Sequence, residues 1–132
     1  MSQRWSTLKA VVVGVVIWAV GWIVIDLTVL QIYPLPPDLP ETASTSELLA
    51  TRPDAAVALN VLGDLLVLAA VSFWVARKAS FQAGAIVTVV IFLLGIASSM
   101  ALSNFRWIHG VGYVGSLAAG LIAAWAGSKA TT

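Results

Sequence analysis

The sequence has no cysteine, a single histidine (His109) and few charged residues. The absence of cysteine excludes disulfide bonds, thiolate zinc sites, iron–sulfur ligation and thiol catalysis. One histidine cannot supply the metal motifs that need two. Charged residues make up 10% of the chain, against about 25% in an average soluble domain, and the net charge is +1. This charge balance gives no reason to expect a nucleic-acid partner.

Long apolar runs occupy most of the chain instead. Hydrophobic residues make up 60% of the 132 residues, and most lie in four runs, at 8–32, 55–76, 83–102 and 108–127. About 20 apolar residues in a helix cross a hydrocarbon core of ~30 Å. The runs lack the period-2 alternation of barrel strands, and lipid does not tolerate open sheets. The sequence therefore predicts an all-α fold, an integral membrane four-helix bundle forming one membrane domain over 1–132.

The cations beside these runs are unevenly distributed. Five of the seven fall on one side of the predicted bundle, namely Arg4, Lys9, Arg77, Lys78 and Lys129. Arg52 and Arg106 fall on the other side. Because short cytoplasmic segments carry the excess of Lys and Arg, both termini are predicted to be cytoplasmic. The segment 33–54 is then an outer loop, and the four prolines at positions 34, 36, 37 and 40 make its first part extended and stiff.

Polar side chains inside the runs cluster toward the outer side. Counting ~1.5 Å per residue from the midpoint of each run places Asp64 near the bilayer centre and Asp26 about 9 Å toward the outside. Asn60 lies one helical turn from Asp64 on the same face. Ionisable residues within a membrane suggest a functional site, while the alternative is a structural cluster that fixes helix register. The predicted outward-facing pocket comprises Asp26, Asn60, Asp64, Ser98, Ser99, Arg106, His109 and Tyr113.

The two aspartates are predicted to differ in charge state. Asp26 lies within reach of an extended Arg106 side chain and is expected to be ionised. No cation of the sequence lies at the depth of Asp64, which is expected to be neutral and hydrogen-bonded near Asn60. Trp18 and Trp22 share a helix face with Asp26. That face can line a pocket, but filling of the bundle interior is the favoured interpretation, because long apolar stripes are usually packing surfaces.

Small residues recur every four positions along the last run. Gly110, Gly112 and Gly115 match the spacing of a dinucleotide-binding fingerprint, but that motif requires a preceding strand, and here it opens an apolar run. Small residues at four-residue spacing instead let two helix backbones approach closely in a membrane. The predicted helix-packing face, which meets helices of the same bundle or of a second protomer, consists of Gly112, Ser116, Gly120 and Ala124.

The segment Ile32-Tyr33-Pro34-Leu35-Pro36-Pro37-Asp38-Leu39, with Trp107 just before the fourth run, resembles a pattern in small uncharacterised bacterial inner-membrane proteins. Those proteins share four spans and a proline-rich first outer loop, and the resemblance covers most of the chain in layout. It implies a multi-pass protein of the cell inner membrane and carries no activity. Members often have proline before this tryptophan, where the present chain has Arg106.

The chain is also similar in size to the four-helix small multidrug transporters. Those proteins rely on a carboxylate in the middle of their first helix, and their first loop is short. Here Asp26 lies toward one end of the first run, and the segment 33–54 is longer. These departures make the likeness one of size and helix number.

Two functions follow from these observations. The first is a non-enzymatic accessory subunit or self-associating helix bundle, whose partners are the lipid bilayer and other membrane helices, in a homo-oligomer or a membrane complex. The second is a small-solute or proton-coupled transporter or binder with an outward-facing polar pocket and an unspecified small-molecule ligand. Catalysis is not predicted, because no serine has a His–Asp partner arrangement and the two aspartates lie at different depths. Neither a cofactor nor a metal is predicted.

Overall fold

The computed structural model describes residues 5–34, 37, 42, 51–101 and 107–130, without the side chains of 99–101. These residues form four helices, which are α1 (Thr7–Ile32), α2 (Asp54–Lys78), α3 (Phe81–Ala101) and α4 (Trp107–Lys129). Each helix is long and apolar enough to span a membrane. The predicted all-helical fold with four such helices is therefore confirmed, and every helix begins and ends within two residues of its predicted run.

Short polar side chains and proline set several helix ends. The side chain of Ser6 accepts a hydrogen bond of 3.3 Å from the backbone nitrogen of Lys9 and caps the start of α1. Ser80 caps α3 in the same way, with its hydroxyl oxygen 3.1 Å from the backbone nitrogen of Ala83. Helix α1 ends just before Pro34, because proline disfavours a helical conformation in the residue that precedes it.

The helices contact one another in the ring order α1, α2, α4, α3, and α2 also contacts α3 across the ring. The interface between α2 and α4 is the most extensive. Along the described residues, α1 and α4 are not in contact. We call the end at which α1 finishes and α2 starts the first-loop end, and the opposite end, where α1 starts and α4 finishes, the terminal end.

The terminal half of the molecule holds a continuous buried core. Its fully or nearly buried apolar residues are Ala10, Leu68, Val71, Val75, Ala79, Ala83, Val87 and Ile91. Two buried hydroxyl groups join α2 to α3 there, with Ser72 Oγ 2.7 Å from Thr88 Oγ1. Thr88 donates its own proton to the carbonyl of Gly84 at 2.9 Å, so Ser72 is the donor of the pair. This bond ties the two diagonal helices together in the terminal half.

Helix α4 approaches its neighbours through residues that lack large side chains. Gly112, Gly120 and Ala124 of the predicted packing face are all buried. Gly112 lies against Val61 of α2, a Cβ at Gly120 would lie 2.5 Å from Thr88 Cγ2, and Ala124 Cβ lies against Gly84 of α3. Three members of the face thus contact helices of the same chain, whereas Ser116 is half-buried beside a cavity.

The outside of the molecule is apolar. Helix α1 exposes large aliphatic side chains along most of its length, and α4 exposes a second set; among them are Val12, Val16, Val20, Ile23, Val24, Leu27, Val111, Val114 and Ile122. Such extended apolar surfaces are stable against lipid and not against water. Together with the length and hydropathy of the helices, they define a multi-pass membrane protein.

Candidate functional site

A cavity of about 230 Å³ lies between the helices in the half nearer the first-loop end. All four helices contribute to its lining, which consists of Trp18, Trp22, Asp26, Asn60, Val61, Asp64, Gly95, Ser98, His109, Gly112, Tyr113 and Ser116. A cavity of about 150 Å³ holds benzene, and pockets for drug-sized ligands measure about 300–1,000 Å³. The available space therefore suits a small solute.

Packing differences between the two halves explain where the cavity lies. In the terminal half, Gly84 lies against Ala76 and the backbone of Ser72, which brings α3 close to α2. Toward the first-loop end, aromatic rings from α1 and α4 border the space between the helices. Over the described residues α1 and α4 are not in contact, and the cavity lies between them.

Six of the eight predicted pocket residues line this one cavity. They come from all four helices and are Asp26, Asn60, Asp64, Ser98, His109 and Tyr113. The other two predictions, the side chain of Ser99 and the whole of Arg106, lie outside the described residues. The six described members therefore share one cavity, although the count of helical rise puts Asp26 and Asp64 at different depths.

The two tryptophans of α1 form an aromatic wall. The rings of Trp18 and Trp22 are stacked, with centroids 6.2 Å apart and planes 11° from parallel. Both border the cavity, and Trp18 also packs against the buried core. This differs from the favoured expectation that the rings only fill the interior. The four-residue spacing of Trp18, Trp22 and Asp26 indicates that they share one helix face. The same spacing is typical of a packing stripe, so it does not distinguish the two interpretations.

Two hydroxyl groups of the lining donate hydrogen bonds to backbone carbonyls. The Tyr113 hydroxyl donates to the carbonyl oxygen of Gly95 at 3.1 Å, and its ring meets the Phe92 ring edge-on with centroids 6.2 Å apart. The Ser98 hydroxyl donates to the carbonyl of Leu94 at 2.8 Å. A hydroxyl has one proton and two lone pairs, so both groups offer only hydrogen-bond acceptors to the cavity.

Asn60 and Asp64 are incompletely satisfied. The Oδ1 atom of each is buried and has no hydrogen-bond partner among the described residues. The hydrogen bond predicted between these two side chains is therefore not made through either of these oxygens. Buried polar atoms without partners are rare, and each costs about 1–3 kcal/mol. On the α2 side of the cavity, these two oxygens are therefore hydrogen-bond acceptors that have no donor among the described residues.

The charges around the cavity are mostly negative. Among the described residues, the cation whose charge acts on Asp26 is Arg52, which is 9% exposed. The predicted contact between Arg106 and Asp26 lies outside the described residues. The described charge that acts on Asp64 is that of Asp26. No sequence signal pointed to Arg52, because its position relative to α1 depends on the path of the intervening loop.

Metal binding finds no support in the part of the chain that the structure describes. Within it, no three histidine, aspartate or glutamate side chains come close enough to hold a metal ion. Asp26, Asp64 and His109 border the same cavity but do not converge on one point.

No family model, curated protein or solved structure matches this chain. The resemblance to small bacterial inner-membrane proteins therefore stays a prediction.

Proposed function

We propose that the protein binds a small solute in the cavity, as a receptor or carrier of the bacterial inner membrane, and is not an enzyme. In this proposal the four helices form a membrane bundle with both termini in the cytoplasm, so that the cavity lies in the outer half. The observation that carries the proposal is that seven polar side chains from four helices, Ser116 among them, border one cavity of about 230 Å³.

The state of these polar groups favours a ligand over a purely structural cluster. A polar cluster that only fixed the helix register would be most stable if its members made hydrogen bonds to one another. Here the Oδ1 atoms of Asn60 and Asp64 lack partners among the described residues, although both side chains border open space. Polar groups held in this way inside membrane helices generally face water or a ligand.

An accessory subunit or self-associating bundle is the second candidate. Its main support was the small-residue face of α4, but Gly112, Gly120 and Ala124 contact α2 and α3 of the same chain. A partner would have to dock on another surface, such as the exposed apolar side chains of α1. Copurification of a partner in fixed stoichiometry from a mild detergent would favour this candidate.

The proposed function is tested by filling the cavity with a larger side chain. Ser98 is exposed at the cavity wall, and its hydrogen bond among the described residues goes to a carbonyl of its own helix, so Ser98→Phe is expected to occupy the space at little cost to folding. Leu93→Phe is the matched control, because Leu93 lies on the same helix, is 57% exposed and is not part of the lining. Thermal unfolding is then recorded with a panel of small cationic, anionic and neutral solutes.

We expect one class of solute to stabilise the wild type and Leu93→Phe but not Ser98→Phe. A ligand present at about 100 times its Kd stabilises a protein by about 2.7 kcal/mol, which a thermal scan detects easily. Equal stabilisation of both variants would place binding outside the cavity and overturn the proposal. Absence of stabilisation by every solute class would overturn it as well.

A further inference from the structure

The cavity also indicates which chemical class of solute it takes, an inference that rests on the proposed function. We infer that the ligand is a small protonated amine. Its N–H groups bond to the oxygens of Asp64 and Asn60 on α2, and its hydrocarbon part lies against the rings of Trp18, Trp22 and Tyr113.

The charges of the lining select a cation. Two carboxyl groups, those of Asp26 and Asp64, border the cavity, and none of the described residues that line it is a lysine or an arginine. Among the described residues, the positive charge of Arg52 acts on Asp26. The charge that acts on Asp64 is the like charge of Asp26. Asp64 is expected to be neutral while the cavity is empty. A bound cation would offset the repulsion from Asp26 and favour the ionised form of Asp64, whereas a carboxylate or phosphate ligand would add to that repulsion.

The hydrogen-bonding groups of the lining select a donor. The hydroxyls of Ser98 and Tyr113 donate hydrogen bonds to carbonyls of α3, so toward a ligand they can only act as hydrogen-bond acceptors. The Oδ1 atoms of Asn60 and Asp64 are further acceptors that lack partners among the described residues. The terminal torsions of these two side chains are soft, so a small rotation turns the oxygens toward a ligand. A quaternary ammonium ion has no N–H group and would leave them unsatisfied.

The aromatic side chains suit the rest of such a ligand. The parallel Trp18 and Trp22 rings border the cavity from the helix that carries Asp26, and Tyr113 borders it from α4. Aromatic faces attract cations within about 6 Å and also bury hydrocarbon. A volume of about 230 Å³ limits the hydrocarbon part to a single ring or a short chain.

Three probes of similar shape separate these requirements. Benzylamine is protonated at neutral pH and donates N–H groups, benzyltrimethylammonium keeps the charge without a donor, and benzyl alcohol keeps a donor without the charge. Affinity for the purified protein in detergent is measured by calorimetry for the wild type, Asp64→Asn, Ser98→Phe and Leu93→Phe. Partitioning of the probes into detergent micelles affects all four proteins equally.

We expect benzylammonium to bind the wild type and Leu93→Phe roughly tenfold to a hundredfold more tightly than either other probe, as the loss of one charge-assisted hydrogen bond predicts. Asp64→Asn and Ser98→Phe should each lose that preference. Asparagine has nearly the shape of aspartate, and Ser98→Phe supplies a second variant should Asp64→Asn not fold.

Each other result is decisive. Equal affinity for the quaternary ion removes the need for a donor, and equal affinity for the alcohol removes the need for a charge; both overturn the inference. Cavity-dependent stabilisation by anions or neutral solutes, with none by amines, overturns the inference and leaves the proposed function standing. If no solute of any class stabilises the protein through the cavity, the proposed function itself fails.

Discussion

Asp26 and Arg52 are far apart in the sequence, yet their charges act on each other at the first-loop end. Arg52 precedes α2 by two residues and is buried. A charged group that is withdrawn from water is stable only if an opposite charge or hydrogen bonds compensate it. The charge of Arg52 is therefore expected to favour the ionised form of Asp26.

This interaction predicts non-additive effects of mutation. Asp26→Asn should lower the free energy of unfolding by about 1 kcal/mol, and the loss should be smaller in an Arg52→Gln background. Unfolding free energies of both single variants and the double variant give the coupling energy, expected at about 0.5 kcal/mol or more for interacting charges.

Lys129→Gln provides the comparison for this cycle, because Lys129 is exposed at the terminal end of α4. Its effect should simply add to that of Asp26→Asn. Additive effects in the Asp26 and Arg52 cycle as well would contradict an interaction between these two residues.

The sequence reveals the polar residues of the cavity more readily than their partners. Asp26, Asn60 and Asp64 stand out because polar groups are rare in apolar runs, and a count of helical rise places them toward one end. The role of Arg52 depends on long-range chain geometry, which no local pattern contains. Trp18 and Trp22 were ambiguous, because a packed face and a cavity wall have the same periodicity.

At the scale of the helix, the small residues of α4 differ in what surrounds them. A Cβ at Gly120 would lie 2.5 Å from Cγ2 and 2.8 Å from Oγ1 of Thr88. Thr88 is fully buried and held by hydrogen bonds to Ser72 and Gly84, so it has little freedom to move. A Cβ at Gly115 would meet only the flexible tip of Leu65, at 3.3 Å.

These surroundings predict opposite effects of the same substitution. Gly120→Ala should destabilise the protein by about 1–3 kcal/mol, because overpacking forces a rigid neighbour to shift. Gly115→Ala should be neutral or stabilising by up to about 1 kcal/mol, because alanine favours the helix and Leu65 can adapt. Thermal unfolding in one detergent compares the two, and the helix-propensity gain is common to both.

If Gly120→Ala proves as stable as Gly115→Ala, the close approach of α4 to α3 at Thr88 is wrong. Gly120→Leu adds a more severe test of the same contact. Wild-type stability and detergent sizing behaviour in that variant would show that position 120 faces lipid.

The helices themselves were predictable, but their pairing was not. Apolar runs of membrane-spanning length fix the bounds of α1 to α4 to within two residues. A stripe of small residues indicates close contact without naming the partner, so the sequence left open whether Gly112 and Gly120 meet the same chain or another. That α2 packs most extensively against α4 depends on three-dimensional arrangement.

At the scale of the whole molecule, the orientation in the membrane is open to direct test. Since the chain contains no cysteine, single cysteines can be introduced without background. Thr42 lies in the predicted outer loop, and Gln82 lies at the predicted cytoplasmic start of α3; both are exposed. In intact cells, Thr42→Cys should react with a membrane-impermeant thiol reagent and Gln82→Cys should not.

After the cells are permeabilised, both variants should react, which shows that each thiol is accessible. Labelling of Gln82→Cys alone in intact cells would reverse the orientation derived from the excess of cations at the terminal end. The cavity would then open toward the cytoplasm, and the proposed receptor or carrier would take its solute from that side.

The pairing of α2 with α4 has a consequence for how the protein is made. Helix α2 has its most extensive interface with α4, which is synthesised after α3, and not with α1 or α3, its neighbours in the chain. While α4 is still being translated, Gly112 and Tyr113 are missing from the wall opposite Asn60 and Asp64. A nascent chain of three spans therefore leaves these polar groups to lipid or to the insertion machinery, and the solute cavity arises only when the fourth span arrives.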